Sequence, residues 1–355
     1  MKILMLADGC AFHAVRYQTE MKNQGVEIIL ASLERGETVD ILLKKKSVSN
    51  SLNYFFINRQ IKELVRKIDP DIVNPHFASG YGFSTAVSRV WKKRSVVLHC
   101  LGSDILISPK KSIAHRRRVV YALTRANYVL ADSNYLAENI RKLASVRNLE
   151  IIPWGVEKEI LELFELKKTS GFRWHHPLRI LVPRPHNRVY NNEFIVRTLA
   201  PRINRKEIQL TFPAWGEDIV DFEILVRDLC PGGGIDFYHM KPRTDYIRFL
   251  ADHDIYLSAS LSDSSPASLI EAMGCGMLPI VADIPGIRDW AISSNSILYD
   301  PHRPETLDET IDRLPHLELE PILITNHAKV AREAIWVNNI RATIEIMERV
   351  AVGRS

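Results

Sequence analysis

The sequence predicts an α/β protein built from two doubly wound domains, each a parallel sheet with helices on both faces. Short apolar runs alternate with longer segments of helical spacing, which is typical of βαβ units. The chain has 355 residues, 46% of them hydrophobic, which is too long for one ordinary core and suits two domains. An aperiodic stretch over residues 157–177 divides the alternation into two series.

The first series begins with the apolar run Lys2–Leu6, which predicts a buried strand. A helix over Ala14–Asn23 ends before the breaker Gly25, and Asp69-Pro70-Asp71 ends a helix over Phe55–Ile68. The remaining strands are predicted at Val26–Ala31, Ile72–His76, Ser95–His99, Tyr128–Ala131 and Leu149–Ile152, and the remaining helices at His115–Arg125 and Asn134–Leu143.

The second series follows the predicted linker, and a final helix is expected over Ala331–Val350. The domains are therefore expected at residues 1–156 and 178–330, with a C-terminal helix over 331–355 packing back toward the first domain. Ligands of such sheets lie beyond the carboxyl ends of the strands, so the expected site is a cleft between the domains. The strands are predicted at Leu178–Val182, Ile208–Phe212, Ile235–His239, Ile255–Ala259 and Leu278–Ala282, and the helices at Asn192–Leu199, Ile219–Leu229, Tyr246–Ala251, Pro266–Met273 and Pro304–Arg313.

Charge is divided unevenly between the two halves of the chain. Residues 1–150 hold 24 Lys and Arg against 13 Asp and Glu, whereas residues 151–355 have a net charge of −6. Basic clusters at residues 44–46, 92–94, 110–111 and 116–118 supply much of the excess. They indicate either an anionic partner or a solvated surface.

The sequence also restricts the compartment. No apolar run reaches the length of a transmembrane helix, and the N-terminal run meets Asp8 too early for a signal peptide. We therefore expect a cytoplasmic protein. The cysteines are far apart and form no CxxC, which favours reduced thiols over a metal knuckle or a disulfide framework. They are Cys10, Cys100, Cys230 and Cys275.

The most informative stretch runs from Asp263 to Gly276 and follows a predicted strand. Ser265 suits an N-cap and Pro266 the first position of a helix. The N–H groups of Ala267 and Ser268 would then form, together with the helix dipole, a site for an anion such as a diphosphate.

Two carboxylates accompany this helix start. Glu271 lies one turn further along and faces the same way, so it could accept two hydrogen bonds from a ribose diol. Asp263, in the loop before the helix, could bind hydroxyl groups of a sugar. The pattern alone fits equally well with a capped surface helix that carries an ordinary glutamate.

This stretch resembles the signature of GT-B fold retaining glycosyltransferases of family 4, the glycosyl transferases group 1. Members carry an acidic residue, seven intervening residues and a glutamate, then Ala-Met-x-x-Gly, a strand and a glycine-rich turn. Asp263 and Glu271 have this spacing, and Ala272-Met273 and Asp283-Ile284-Pro285-Gly286 follow. Asp263 stands where many members have Glu. The resemblance implies two Rossmann-like domains that face a central cleft.

The resemblance also implies roles for residues in both domains. Arg184 would neutralise the leaving diphosphate, Arg188 would stand near the family's second cation, and Met240 would lie near the base. Gly102 and Asp104 would lie near the transferred sugar. The residues implied for the nucleotide are Gly9, Arg184, Arg188, Met240, Ser265, Ala267, Ser268 and Glu271, and those implied for catalysis are Asp263, Arg184, Glu271, Asp104 and His99.

Several histidines keep alternative interpretations. His99 lies two positions before the histidine of many members, so a place in the core competes with a place in the cleft. His13 and Arg16 are expected to face the cleft. His76 is an acceptor-side candidate for which a structural role is equally compatible.

We expect no metal and no cofactor besides the nucleotide-sugar. Asp252-His253-Asp254 spells the Asp-x-Asp motif that a different glycosyltransferase fold uses for metal, but here it precedes a strand. A structural capping role is therefore favoured. Cationic side chains and a helix N-terminus would take the place of the metal.

The resulting expectation is a metal-independent, hexosyltransferase-type enzyme in cell-envelope or exopolysaccharide synthesis. It would move a sugar from a nucleotide-sugar, with UDP favoured, to a saccharide or a lipid-linked saccharide. The basic first domain would bind the acceptor and suits peripheral docking on the inner face of the cell membrane, and no nucleic-acid partner is expected. The alternatives are a nucleotide-sugar epimerase or hydrolase, a phosphorylase, and a non-catalytic nucleotide-sugar-binding protein. The lone Gly9, without GxGxxG, argues against a dinucleotide-dependent oxidoreductase.

Overall fold

The computed structural model describes residues 1–47 and 50–353. It divides into two units. Unit 1 comprises residues 1–153 together with the chain from Val337 onward, and unit 2 is Trp154–Trp336. Each unit has a hydrophobic core of its own. No helix of the described residues is long and apolar enough to cross a membrane.

Unit 1 is built on a seven-stranded parallel sheet in the order β3-β2-β1-β4-β5-β6-β7. Its strands are β1 (Lys2–Leu6), β2 (Glu27–Ser32), β3 (Ile41–Leu42), β4 (Ile72–Pro75), β5 (Ser95–His99), β6 (Tyr128–Ala131) and β7 (Leu149–Ile151). Its first eight helices are α1 (Phe12–Asn23), α2 (Asn50–Phe56), α3 (Asn58–Ile68), α4 (Phe83–Ser88), α5 (Ser103–Leu106), α6 (Ser108–Lys111), α7 (Ile113–Arg125) and α8 (Asn134–Leu143).

Unit 2 is built on a six-stranded parallel sheet in the order β10-β9-β8-β11-β12-β13. Its strands are β8 (Leu178–Leu181), β9 (Ile208–Pro213), β10 (Ile235–Tyr238), β11 (Ile255–Ser258), β12 (Leu278–Ala282) and β13 (Ile297–Tyr299). Its helices are α9 (Lys158–Ser170), α10 (Asn192–Asn204), α11 (Ile219–Leu229), α12 (Arg243–Leu250), α13 (Ala267–Gly274), α14 (Pro304–Arg313) and α15 (Leu319–Glu333). The last helix, α16 (Trp336–Val352), carries the chain back into unit 1.

Each sheet has one point where the strand order reverses. In unit 1 it lies between β1 and β4, and in unit 2 between β8 and β11. The loops that leave the two strands at such a point diverge and open a crevice at the carboxyl edge of the sheet. Arg184 and Asp263 follow β8 and β11, so the fold of unit 2 brings them to this crevice.

The predicted fold class is confirmed. Most predicted strands appear within a residue or two, because strands buried on both faces read as continuous apolar runs. β12, for example, is buried along its whole length. The short strands β3 and β13 and the helix α2 were not predicted, and the helix predicted over Phe55–Ile68 begins three residues later, as α3.

The predicted linker over residues 157–177 is wrong for most of its length. Lys158–Ser170 forms α9, which belongs to unit 2. Ile160 and Phe164, four residues apart, are fully buried in the core of that unit. Two apolar residues at this spacing put one helical stripe against the core. Leu161, Leu163 and Leu166 place further apolar side chains around the helix, which obscures the stripe in the sequence.

The final helix predicted over Ala331–Val350 is present as α16, but it begins at Trp336, because the chain breaks between α15 and α16. At the break the N–H of Val156 donates to the Ala334 carbonyl at 2.8 Å, and the N–H of Trp336 donates to the Val156 carbonyl at 2.9 Å. Gly155 permits this approach, since a Cβ there would lie 2.6 Å from the Trp336 nitrogen. A backbone bridge therefore interrupts a run that sequence spacing reads as continuous.

Candidate functional site

An ion pair occupies the crevice at the reversal point of unit 2. The guanidinium of Arg184, which follows β8, donates from Nη2 to Oδ2 of Asp263, which follows β11. Both side chains are largely buried. The structure thus brings together two residues that are 79 positions apart in sequence.

The Arg184 guanidinium keeps capacity for a further acceptor. Its Cζ lies 4.4 Å from the centroid of the Tyr190 ring, a cation–π contact. Burial alone would lower the pKa of Arg184, but the Asp263 carboxylate outweighs burial and raises it above its usual value. The Nε atom is buried and has no hydrogen-bond partner among the described residues. A buried cationic donor left unpaired suits an incoming anion.

The loop that carries Asp263 lies directly against the turn after β12. A Cβ at Gly286 would lie 2.6 Å from the Asp263 carbonyl carbon and 3.3 Å from the Ser264 Cα. Only glycine allows the two backbones to approach this closely. The glycine-rich turn therefore fixes the position of Asp263.

Replacing Gly286 with alanine should displace the Asp263 loop and lower the free energy of unfolding by at least about 2 kcal/mol, because the contact is with backbone that cannot rotate away. Urea denaturation measures the change. Gly232→Ala is the matched control, since a Cβ at Gly232 meets no atom within 4 Å. Equal stability of the two variants would show that the loop contact does not constrain Asp263.

Helix α13 begins one residue later than predicted. Pro266, in extended conformation, is the N-cap, and its carbonyl accepts from the N–H groups of Leu269 and Ile270 at 3.0 and 3.2 Å. Ser265 does not cap the helix, because its Oγ accepts from Trp290 Nε1 at 2.9 Å. No side chain of the described residues caps α13. The N–H groups of Ala267 and Ser268 thus stand at the helix start, where no preceding turn supplies a carbonyl.

Glu271 faces an arginine that the sequence analysis missed. The carboxylate is buried, and its Oε1 accepts from Nη2 of Arg243, the first residue of α12, at 2.6 Å. Arg243 also binds Glu157, the N-cap of α9. The predicted helix begins at Tyr246 and the predicted linker includes Glu157, so neither Arg243 nor Glu157 is among the predicted site residues. The pair Pro242-Arg243, which follows β10 at the carboxyl edge of the sheet, was the sequence feature that could have identified this arginine.

Two further residues implied for the nucleotide lie outside these contacts. Arg188 is exposed in a short turn and lines a cavity of about 270 Å³ with Asn187 and Asn192. Met240 is 77% exposed after β10. Their assignment to the donor therefore stays a prediction.

In unit 1 the Gly9 amide is already used. Its N–H donates to Ser32 Oγ at 2.9 Å, and a Cβ at this position would overlap the Val39 side chain. Packing of the segment around Gly36 therefore requires the glycine, since a Cβ at Gly36 would in turn lie 2.7 Å from the Gly9 carbonyl carbon. The N–H of Gly9 is therefore already engaged and is not available to a phosphate in this structure. The assignment of Gly9 to the nucleotide stays a prediction.

Two histidines and an asparagine meet at the carboxyl edge of unit 1. The rings of His76 and His99 lie 4.8 Å apart, and Tyr17 packs edge-on against both. Asn74 joins them, with Nδ2 3.4 Å from His99 Nδ1 and Oδ1 3.3 Å from His76 Nε2. Burial, together with the charge of His13, lowers the pKa of His99 to about 3, so the ring is neutral near pH 7. It can form hydrogen bonds with a bound group but carries no charge there.

Asp104 is a positioning residue and not a group that substrate can reach. It is 1% exposed, and its oxygens accept from the N–H groups of Ala78 at 2.7 Å and Leu101 at 3.1 Å. The carboxylate thus ties the segment after β4 to the loop after β5, where Gly102 adopts a positive φ of 106°. The expectation of a catalytic role for Asp104 is corrected by this burial.

Burial raises the pKa of Asp104 from 3.8 to about 6, although the backbone N–H groups oppose the shift. The folded state therefore binds this proton more tightly than the unfolded chain does, and stability falls as the pH rises through this range. Between pH 5 and 7.5 the loss from this group should be about 1–1.5 kcal/mol. Urea titrations should show that Asp104→Asn removes this part of the pH dependence while Glu63→Gln, on exposed α3, keeps it. An unchanged slope in Asp104→Asn would contradict the assignment.

The Asp-x-Asp residues Asp254 and His253 form hydrogen bonds within unit 2. Asp254 accepts from the N–H of Arg179 at 2.9 Å and from His175 Nδ1 at 2.8 Å, which anchors the start of β8. His253 Nδ1 lies 3.0 Å from the Phe249 carbonyl oxygen. Within residues 1–47 and 50–353, no group of three or more His, Cys, Asp or Glu side chains is arranged to hold a metal ion.

Comparison with known proteins points to one family. Residues 2–133 match the family model described as glycosyl transferase 4-like, and residues 216–333 match the model of glycosyl transferases group 1. The chain is 23% identical over 261 residues to a Bacillus subtilis protein named as the teichuronic acid biosynthesis glycosyltransferase TuaC, covering 72% of this chain and 64% of that protein. It is 20% identical over 248 residues to a phosphatidylinositol N-acetylglucosaminyltransferase subunit of Saccharomyces cerevisiae, covering 68% and 54%. The chain thus spans between about half and two thirds of the length of these relatives.

Solved structures show the same fold. Sucrose-phosphate synthase from Thermosynechococcus elongatus superposes with a TM-score of 0.82 at 14% identity, over 99% of this chain and 100% of that chain. Anabaena HepE in complex with UDP superposes with a TM-score of 0.76 at 15% identity, over 98% and 100%.

Proposed function

Because the chain belongs to the GT-B glycosyltransferases, family 4-like and group 1, we propose that it transfers a sugar from a nucleotide-sugar to an acceptor with retention at the anomeric carbon. The single observation that carries this proposal is the group at the reversal point of unit 2. Arg184, the uncapped start of α13 and the carboxylate of Glu271 all stand at the carboxyl edge of one sheet, two of them after the strands that flank the reversal.

We assign a separate role in binding to each of these groups. The N–H groups of Ala267 and Ser268 and the guanidinium of Arg184 bind the diphosphate, and Glu271 accepts hydrogen bonds from the ribose. Asp263, fixed by Gly286, binds hydroxyls of the donor sugar. When the bond from sugar to diphosphate breaks, negative charge grows on the leaving oxygen, and the preorganised cation and amides stabilise it.

The expected retention of configuration comes from the family resemblance. None of the residues placed at this edge is assigned a covalent bond to the sugar, which suits displacement on the face that the leaving group departs from. Resident charges supply the electrostatic stabilisation, so the proposal includes no metal and no cofactor. Both points remain proposals.

UDP is the favoured nucleotide. Anabaena HepE was solved with UDP and with UDP-glucose, and pneumococcal GtfA with UDP and GlcNAc. These structures support a UDP-sugar donor for this chain. We place the base near Met240 and keep GDP and ADP as the next candidates.

The acceptor is proposed to be a saccharide or a lipid-linked saccharide in cell-envelope or exopolysaccharide synthesis. The names of the relatives, one in teichuronic acid biosynthesis and one acting on phosphatidylinositol, support this class. The neutral imidazole of His99, which is partly exposed at the carboxyl edge of unit 1, offers hydrogen bonds suited to acceptor hydroxyls. His76 is fully buried against it, so we give His76 a structural role.

A basic surface of unit 1 would bring the enzyme to anionic lipid. Four exposed basic residues flank Ile113 in sequence and have no ion pair among the described residues: Lys110, Lys111, Arg116 and Arg117. Ile113 itself is 73% exposed. No acidic residue stands between Asp104 and Asp132 in sequence. We call these five residues the 110–117 patch. Basic residues near an anionic membrane surface contribute about 1 kcal/mol each.

Sedimentation with lipid vesicles tests this surface. The protein should pellet with vesicles that contain phosphatidylglycerol and stay in solution with phosphatidylcholine alone. Lys110→Glu with Lys111→Glu should abolish pelleting, whereas Arg66→Glu with Lys67→Glu, on exposed positions of α3, should not. Equal pelleting on neutral vesicles, or none on either, would contradict the docking surface.

A thermal-shift panel of UDP, GDP, ADP, dTDP and CMP tests the donor. At 100 times its Kd, one nucleotide should add about 2.7 kcal/mol of stability and raise the Tm. Absence of a shift with every nucleotide would end the donor assignment.

With the nucleotide identified, the protein should transfer sugar from the matching nucleotide-sugar to a saccharide acceptor. If the donor is isomerised or hydrolysed equally well without an acceptor, the result would favour an epimerase or a hydrolase. If the nucleotide-sugar binds but is not turned over, the result would favour a non-catalytic binding protein.

A further inference from the structure

The carboxylate that the proposed function assigns to the ribose is held by a guanidinium that has no role so far. Arg243 Nη2 donates to Glu271 Oε1 at 2.6 Å. The same side chain reaches both oxygens of Glu157, from Nε at 3.0 Å and from Nη2 at 2.5 Å. One cation therefore spans two carboxylates that come from different segments of unit 2.

Burial makes this geometry rigid. Glu271 is 5% exposed, and the side chains of Arg243 and Glu157 are 21% and 22% exposed. Tyr246 contacts the guanidinium, with its ring centroid 5.5 Å from Cζ. A planar guanidinium with two carboxylates leaves little rotational freedom to either one, and a buried carboxylate that loses its partner becomes costly. Arg243 therefore determines where the Glu271 oxygens lie.

In the part of the chain that the structure describes, Glu271 forms its ion pair with Arg243 and with no other cationic side chain. Burial, with Glu271 as the next cause, raises the pKa of Tyr238 on β10 and of Tyr246 on α12 above their usual range, so both are neutral. Burial and Glu271 also favour the neutral thiol of Cys275, against an opposing effect of Lys167 on α9. On the other packed elements, Tyr256 of β11 bonds Ser268, and His327 of α15 bonds the Gly274 carbonyl.

We propose that Arg243 is a positioning residue for nucleotide binding, which fixes Glu271 through Oε1 and leaves Oε2 for the ribose diol. This inference rests on the proposed function. Lysine cannot replace the arginine, because a single ammonium cannot reproduce the planar fork that spans both carboxylates. Glu157 serves as the outer anchor that orients the guanidinium.

A double-mutant cycle tests the proposal, with Kd for the best nucleotide of the panel measured by calorimetry. Glu271→Gln should weaken binding about 100-fold and Arg243→Met about 30-fold, while the double variant should bind no more than about threefold more weakly than Glu271→Gln alone. Non-additivity of this kind shows that Arg243 acts through Glu271. If the two losses multiply, Arg243 contacts the nucleotide by itself and the proposal is wrong.

A control separates positioning from general stability. Arg202 is a second buried arginine of unit 2 that bridges carboxylates, those of Asp308, Asp312 and Glu207. Arg202→Met should lower the Tm comparably and leave Kd within about twofold of the wild type. If Arg202→Met weakens binding as much as Arg243→Met, the effect is only structural.

Arg243→Lys supplies a second readout. It keeps the positive charge but loses the planar fork that spans both carboxylates, so its Kd should stay at least about tenfold above that of the wild type. Full nucleotide affinity in Arg243→Lys would overturn the proposal. Failure of the wild type to bind any nucleotide would instead refute the proposed function, so the two failures are distinguishable.

Discussion

Replacing Arg184 with methionine should lower kcat/KM for sugar transfer about 1,000-fold, which corresponds to about 4 kcal/mol of transition-state stabilisation. Arg184 stands at the reversal point of the unit 2 sheet with an unpaired buried Nε donor. Charge grows on the leaving diphosphate during transfer, so the loss should appear mainly in kcat. Steady-state kinetics with the nucleotide-sugar identified by the panel measures it.

Two further variants show whether the guanidinium itself is needed. Arg184→Lys keeps the charge but loses the fork and the contact with Tyr190, and it should retain about a tenth of the activity. Arg197→Met changes an exposed arginine of α10 whose ion-pair partner among the described residues is Glu193, and the substitution should leave turnover unchanged. Turnover of Arg184→Met above a tenth of the wild-type rate would remove Arg184 from the leaving-group site.

Replacing Glu271 with glutamine should raise the Kd of the nucleotide about 100-fold, because hydrogen bonds to a charged acceptor contribute about 1.5–3 kcal/mol each. The thermal shift seen with the wild type should then disappear at the same nucleotide concentration. Calorimetry gives the affinity directly. The substitution is nearly isosteric, so the fold should persist.

Glu309→Gln, on the exposed face of α14, is the control for removal of one carboxylate from unit 2. It should bind nucleotide as the wild type does. A diphosphate compound without ribose, such as pyrophosphate, should bind the wild type and Glu271→Gln equally. If Glu271→Gln keeps the full nucleotide affinity, Glu271 does not bind the ribose. This result would leave the proposed diphosphate site unaffected.

The fold could be predicted from sequence because its signals are local. Buried parallel strands such as β12 are short apolar runs, and glycine and proline mark their ends. The motif of Asp263 and Glu271 lies within nine positions, so its spacing alone places both residues beside α13. The family resemblance supplied their proposed roles.

The partners of these residues could not be predicted, because they come from distant parts of the chain. Arg184 and Asp263 are 79 positions apart, and Glu157 and Arg243 are 86 apart. Only the order of the strands decides that these pairs meet. The error over residues 157–177 has a different, local origin. Leucines at positions 161, 163 and 166 spread apolar side chains around α9, which obscures the buried stripe of Ile160 and Phe164.

Local motifs also cannot reveal when a backbone group is already used. Gly9 was assigned to phosphate from its place after β1, yet its N–H donates to Ser32 Oγ across 23 positions. Asp104 was assigned to the sugar from its place after β5, yet it binds the N–H of Ala78, 26 positions away. In both cases a hydrogen bond to a residue distant in sequence already engages the polar group that the motif would assign to a ligand.

The most direct test of the central claim observes the first amides of α13. In a ¹H–¹⁵N TROSY titration of the labelled protein, the nucleoside diphosphate that binds best should shift the Ala267 and Ser268 signals, because its phosphates accept hydrogen bonds there. The corresponding nucleoside, without phosphate, should leave these two signals in place. If the diphosphate binds and neither signal moves, or if the nucleoside moves them equally, the start of α13 is not the phosphate site.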